Sequence, residues 1–239
     1  MTDNGISFQQ ILTAALNTVR SQERDVQLLQ VGANDGVSND PIFEFVKEHI
    51  DSAAFVEPQP DAFRKLQENY ADKPNFTFIK GVVFSHDTQM PMYRISPDKE
   101  SEYKAIYKTH ANASGVTSLD YNHVRNFLLK IAPAYFKDND VEQWIETFDV
   151  EAMTFDTLLT KYDLAAVDIL QVDAEGYDYE IVQMALSSNA ISPLVINLEH
   201  KNLTDTQKSS IKSCLVDKNY SLYMHEGDLC AFKKIDLSL

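Results

Sequence analysis

Gly32 and Gly36 flank the turn Gly32-Ala33-Asn34-Asp35-Gly36, which directly follows the apolar run Val26 to Val31. Glycine tolerates both positive φ and a close neighbour, so this turn can pass against a ligand with no side chain in the way. About 20 residues later Glu57 ends a second apolar run, where an acid can accept hydrogen bonds from the two vicinal hydroxyls of a ribose. The pair points to a nucleoside-type cofactor. A pyrophosphate is disfavoured, because the dinucleotide fingerprint is G-x-G-x-x-G, whereas the spacing here is G-x-x-x-G with Asp35 where a phosphate would be repelled. Read alone, the glycines also fit an ordinary tight turn between a strand and a helix.

A second group of reactive side chains ends later apolar runs: Asp173 and Glu175 after Val167 to Val172, and Glu199-His200 after Leu194 to Leu198. A reaction that takes a proton from an alcohol needs a base within hydrogen-bond reach, or a metal that acidifies the hydroxyl. Asp173 is the candidate for positioning a bound cofactor or substrate; Glu175, Glu199 and His200 are the candidates for base or metal ligand. Asp173 and Glu175 would equally cap the helix that follows them. Glu199-His200 is also readable as a solvated loop pair, and two such residues do not define a metal site. His110, His123 and His225 have no partner visible in the sequence and read as surface or satisfied core positions.

The elements that must carry these residues alternate. Apolar positions from Ile6 to Val19 recur at helical spacing, giving a helix over about 6–20. A strand over 26–31, the turn, and a helix opened by Asp40-Pro41 follow. Next come a strand over 53–56, a helix through Phe63, Leu66 and Tyr70, and a strand over 76–84. From about 96 to 150 the alternation lapses into polar loops with helical stretches near 123–131 and 141–148, in which Trp144, Ile145 and Phe148 read as core. It resumes with a helix over 154–161, strand 167–172, helix 179–186, strand 194–198, and a helix with the capping-box spacing Thr204 to Gln207. A hairpin around Glu226-Gly227-Asp228 closes the chain. The reading is an α/β fold in a single domain over 1–239, with a doubly wound, mostly parallel seven-stranded sheet, an antiparallel C-terminal edge hairpin, and a lid-like, mainly helical insertion over about 96–150. Such sheets bind ligands beyond the carboxyl ends of their strands. Substrate choice is expected in the insertion, whose Tyr103, Tyr107, His110, Asn112, Ser114, Tyr121, His123, Arg125, Tyr135 and Trp144 offer hydrogen bonds and aromatic faces.

A formal net charge of -15 would repel a phosphate backbone and an anionic lipid surface, so neither nucleic acid nor membrane is an expected partner. Cys214 and Cys230 fit no metal motif or disulfide framework, and Met1-Thr2-Asp3-Asn4 lacks the features of a signal peptide. The expected location is the cytoplasm.

Four segments occur in order: Leu29-Gln30-Val31-Gly32-Ala33-Asn34-Asp35-Gly36, Phe55-Val56-Glu57-Pro58-Gln59-Pro60, Phe155-Asp156-Thr157-Leu158-Leu159, and Ile169-Leu170-Gln171-Val172-Asp173-Ala174-Glu175-Gly176-Tyr177-Asp178. This series resembles the FkbM methyltransferases, whose patterns run D-V-G-A-N-x-G, F-E-P-x-P, L-D-D-L and K-I-D-V-E-G-x-E. The resemblance implies a class I methyltransferase fold, S-adenosylmethionine as donor, and O-methylation of a hydroxyl on a saccharide or secondary metabolite. It places Gly32, Asn34 and Gly36 along the methionine part, Glu57 at the ribose, Pro58 and Gln59 at the edge of the adenosine pocket, and Val82 against the adenine. Gln30 stands where the family has an acid, which moves contact with the methionine amine toward Asp173. Asp178 replaces the final glutamate of the last motif. The competing readings are a methyltransferase-like binding module without turnover and a nicotinamide-dependent oxidoreductase; the missing third glycine and Asp35 weigh against the latter.

Overall fold

Ser7 opens the first helix. Its hydroxyl accepts from the Gln10 N–H, and the Gln10 side chain accepts from the Ser7 N–H, so two of the free donors at a helix start are satisfied reciprocally. Helix α1 (Phe8–Arg20) then buries Ile11, Leu12, Ala15, Leu16 and Val19, the face its periodicity predicts. The computed structural model describes residues 6–108, 113, 116–164, 166–174, 176–188 and 190–237. The chain divides into two compact units, Met1–Asp87 with Met153–Leu239, and Thr88–Ala152.

In the first unit, β1 (Gln27–Val31), α2 (Phe43–His49), β2 (Ser52–Val56), α3 (Pro60–Asn69), β3 (Phe76–Ile79) and the short β4 (Val82–Val83) follow one another. The second unit contributes β5 (Thr88–Ile95), α4 (Glu100–Tyr107), β6 (Thr117–Ser118) and α5 (Tyr121–Ile131), and β7 (Ile145–Met153) leads out of it. The first unit resumes with α6 (Phe155–Lys161), β8 (Ile169–Val172), α7 (Asp178–Ser187), β9 (Val195–Glu199), α8 (Asp205–Asp217), β10 (Ser221–His225) and β11 (Asp228–Phe232). Its sheet has seven strands in the order β10-β11-β9-β8-β1-β2-β3. β3, β2, β1, β8 and β9 run parallel, and β11 runs antiparallel to both β9 and β10. The fold is the expected doubly wound α/β sheet with its antiparallel edge hairpin.

Side chains alternate across this sheet. Leu29, Val31, Leu170, Val172, Ile196 and Leu198 face α6, α7 and α8, whereas Leu28, Phe55, Ile169, Val195 and Cys230 face α1, α2 and α3. Burial on both faces is why the central strands read as continuous apolar runs. Where they begin, the Arg24 guanidinium grips Asp168 with two bonds, 2.8 and 2.7 Å, and Asp168 also accepts from the Gln27 N–H.

Several expectations need correction. The helix expected to start at Asp40-Pro41 starts at Phe43; the Asp40 carboxylate instead accepts from the Ile42 N–H and the Gln30 amide, which holds the segment in a turn. The strand over 76–84 breaks at Lys80-Gly81. The stretch 141–148 is a short 3-10 turn, Val141–Trp144, and then strand: β7 pairs antiparallel with β5 from Thr88↔Ala152 to Ile95↔Ile145. Three apolar residues at helical spacing do not distinguish helix from strand, and pairing with a partner strand decides. The second unit is therefore helical only in part. Its own core is Ile95, Tyr103, Val124, Leu128, Val141 and Trp144, so Trp144 is core as expected.

Candidate functional site

β1 is the topological switch point, since the chain moves from it to β2 and β3 and then returns to lay β8 on its other side. Val31 pairs with both Val56 and Val172, and Val172 pairs with Leu198, so the strands end level. Gly32, Glu57, Asp173 and Glu199 thereby come to one edge of the sheet. Gly32 has φ +79° and Asn34 has φ 48°. A Cβ at Gly32 would lie 1.8 Å from the Asp173 carbonyl oxygen, and one at Gly36 (φ +73°) would meet Leu66 Cδ1 at 2.6 Å and Tyr70 Cε2 at 2.7 Å. Both glycines are thus demanded by the protein's own packing and backbone. Asp35, read in the sequence as a charge set against phosphate, also folds the turn: its carboxylate accepts from the Val37 and Ser38 N–H groups and the Ser38 hydroxyl. Despite the opposing effect of burial, these bonds and the nearby Lys65 hold its carboxyl below the usual range.

Glu57 is buried, with one carboxylate oxygen accepting from the Asn34 N–H and the other from the Gln59 N–H, each at 2.8 Å. Burial pushes its carboxyl up to about 7 against these two bonds, with Asp35 adding to the rise. A carboxylate has about four acceptor positions, so two stay available beyond the two backbone bonds. Pro58 is buried beside it, Gln59 is buried, and Val82 is half-buried in β4.

Across the switch point, Asp173 donates its own N–H to the Val31 carbonyl, while its carboxylate has no hydrogen-bond partner among the described residues. Burial first, then Glu199, Asp178 and Asp228, raise that carboxyl to about 7; Lys201 opposes them. Glu199 is committed: one oxygen pairs with the Lys201 ammonium at 2.6 Å and the other accepts from the Asn202 amide at 2.6 Å. His200 is buried, its Nε2 has no hydrogen-bond partner among the described residues, and burial together with Lys212 and Lys208 of α8 lowers its affinity for a proton. Asp178 turns back onto the backbone and accepts from the Ala174 and Gly176 N–H groups. Glu175, His110, Asn112, Ser114 and Gly115 lie outside the described residues. The structure brings together Gly32, Asn34, Gly36, Glu57, Asp173 and Glu199, and gives His200 the lysines of α8 as its charged neighbours.

Gln30 donates from Nε2 to Asp40 Oδ2 at 3.0 Å, and its Oε1 is buried without a hydrogen-bond partner among the described residues. Gln171 lies beside it in the sheet, and Asn197 beside Gln171. Asn197 Nδ2 donates to Gln171 Oε1 at 3.0 Å and to Asp228 Oδ2 at 3.1 Å, and Asn197 Oδ1 meets His225 Nε2 at 2.9 Å. This buried polar row escapes a reading of strand ends. Its signal is present nonetheless, because Gln30, Gln171 and Asn197 each stand two residues before Gly32, Asp173 and Glu199 in otherwise apolar runs. Among the described residues, no group of three or more His, Cys, Asp or Glu could hold a metal ion. No described helix is long and apolar enough to cross a membrane.

The sequence profile of the methyltransferase FkbM domain matches residues 30–222. No curated protein matches the chain. Among solved structures, the methyltransferase FkbM from Methylobacillus flagellatus KT is similar at 12% identity with a TM-score of 0.48, over 88% of this chain and 44% of that one. The chain thus spans less than half the length of that protein. A precorrin-6y C5,15-methyltransferase from Geobacter metallireducens GS-15 is similar at 11% identity and a TM-score of 0.42, covering 98% of this chain and 93% of the other.

Proposed function

The chain belongs to the FkbM methyltransferase domain family, and from that premise we propose that it transfers a methyl group from S-adenosylmethionine to a hydroxyl of a saccharide or secondary metabolite. The observation that carries the reading is Glu57. It is fixed at the end of β2 by the Asn34 and Gln59 N–H groups, with two acceptor positions left for two vicinal hydroxyls. The donor set suits the cofactor in charge as well. Asp173, with no hydrogen-bond partner among the described residues and in the field of further carboxylates, favours a cationic ligand group, and S-adenosylmethionine carries both a sulfonium and an ammonium.

In this reading Glu57 holds the ribose, Pro58, Gln59 and Val82 border the adenosine, and the turn from Gly32 to Gly36 lies along the methionine part. Asp173 attracts the cationic groups, work shared with the Gln30–Asp40 pair. Bound S-adenosylmethionine supplies an activated methyl group on sulfur. The chain's task is to align acceptor and donor, exclude water and take up the hydroxyl proton. The second unit offers Tyr121, His123 and Arg125 as candidates for acceptor recognition.

Isothermal titration with S-adenosylhomocysteine tests the cofactor assignment. Micromolar binding that Glu57→Ala weakens by about a hundredfold supports it, and no heat of binding at millimolar ligand would sink it. Incubation with labelled S-adenosylmethionine and a panel of sugars tests the acceptor class, with label expected on an ether oxygen.

A further inference from the structure

His225, read from the sequence as a surface or satisfied core histidine, is the last residue of β10. β10 and β9 both run antiparallel to the strand between them, so the end of β10 lies on the same sheet edge as the ends of β9, β8 and β1. His225 is paired with Asp228, and Asp228 with Glu199. Asp228 thus stands between His225 and Glu199 at the strand ends, and β8, which leads into Asp173, is the next strand beyond β9.

The hydrogen bonds fix how the imidazole is held. A carboxylate only accepts, so the Asp228 contact identifies the Asn197 atom facing it as Nδ2. Oδ1 then faces His225, and His225 Nε2 must donate to it. In the neutral ring this leaves the lone pair on Nδ1, which has no hydrogen-bond partner among the described residues. The ring plane is clamped by Phe8 of α1, stacked at 4.2 Å between centroids, and by Tyr223, stacked at 5.7 Å. A base oriented through its second nitrogen by a group that is itself held is the arrangement that activates hydroxyls in unrelated enzymes.

We propose that His225 is the base that takes the acceptor's proton, with Asn197 and Asp228 as its positioning residues. The proposal rests on the methyl-transfer reading above. As the acceptor oxygen bonds to the methyl carbon, the carbon–sulfur bond breaks with its electron pair left on sulfur, and the hydroxyl proton passes to Nδ1. The positive charge that leaves the sulfonium reappears as imidazolium, faced by Asp228 and Glu226. Burial keeps the imidazole below its ordinary pKa, opposed by those two acids, so the ring is neutral and ready to accept at neutral pH.

The test needs no acceptor. Nitrogen-15 NMR of the imidazoles in the full chain, with the His225 signals assigned by their loss in His225→Gln, reads tautomer and pKa directly. Titrations are run with bound S-adenosylhomocysteine and with bound sinefungin, which carries an ammonium where the donor has its methyl sulfonium. The expected result is the Nε2–H tautomer and a His225 pKa lower by about half a unit or more with sinefungin, because a nearby like charge disfavours imidazolium. If both ligands bind and His225 titrates alike in the two complexes, or its neutral form is Nδ1–H, the base assignment is overturned while the cofactor assignment stands. If neither ligand binds, the methyl-transfer reading fails and takes this proposal with it.

Discussion

The main-chain carbonyl of Asp173 packs so closely on Gly32 that a Cβ at residue 32 would sit 1.8 Å from its oxygen. This contact joins the ends of β1 and β8, and neither backbone can retreat without breaking the bond from the Asp173 N–H to the Val31 carbonyl. Gly32→Ala is expected to cost about 3–5 kcal/mol or to prevent folding, since the clash is with backbone and φ is positive. Gly36→Ala meets only side-chain atoms of Leu66 and Tyr70 and should cost about 1–3 kcal/mol. Urea unfolding of the two variants checks the order; equal losses would contradict it.

Glu57 makes stability and cofactor binding depend on pH in opposite directions. Its folded pKa is raised to about 7 from an ordinary 4.5, so its contribution is fully present below the ordinary value and is lost as pH rises through 7. The free protein should lose on the order of 1–3 kcal/mol between about pH 5 and 8 from this group, and Glu57→Gln should flatten the curve. Ribose hydroxyls donate to the ionised form, so affinity for S-adenosylhomocysteine should rise over the same range, with a proton released on binding. Calorimetry in two buffers of different ionisation enthalpy measures that proton; proton uptake would reverse the assignment.

Arg24 and Asp168 make a fork of two bonds at the opposite end of the same strands. Asp168 is buried, so Arg24→Met leaves a buried carboxylate with only the Gln27 N–H as partner among the described residues. The expected loss is about 1–3 kcal/mol by thermal or urea unfolding, with cofactor affinity unchanged, because the pair lies at the amino ends of β1 and β8. An affinity loss larger than the stability loss would show that strand position propagates to the site.

Much of this architecture was legible. Alternating apolar runs and helical stripes identified the parallel sheet and the helices on both faces, and four ordered motifs located Gly32, Glu57 and Asp173 at its edge. Two kinds of feature were not. Ile145–Met153 became a strand only by pairing with Thr88–Ile95, a partner about 50 residues away that local spacing cannot reveal. The Asn197–Asp228–His225 cluster depends on register between three strands, so its members look solitary in sequence even though Asn197 interrupts an apolar run.

Asp173 sets stability against function in a way that one substitution separates. Its largely buried carboxylate has no hydrogen-bond partner among the described residues and is raised to about 7 by burial and by Glu199, Asp178 and Asp228. Forcing it to ionise above that value therefore opposes folding. Asp173→Asn removes the cost, so the free protein should gain about 1–2 kcal/mol at pH 8 and nothing near pH 3, below the ordinary value of 3.8, where the carboxyl is protonated in the folded and the unfolded chain alike. Binding should move the other way. The variant should bind S-adenosylmethionine about tenfold more weakly, and S-adenosylhomocysteine, which lacks the sulfonium charge, by a smaller factor. Melting curves at the two pH values and titrations with both ligands give all four quantities. Loss of stability at pH 8 would mean that the carboxylate makes an internal contact, and equal weakening of both ligands would move it away from the sulfonium.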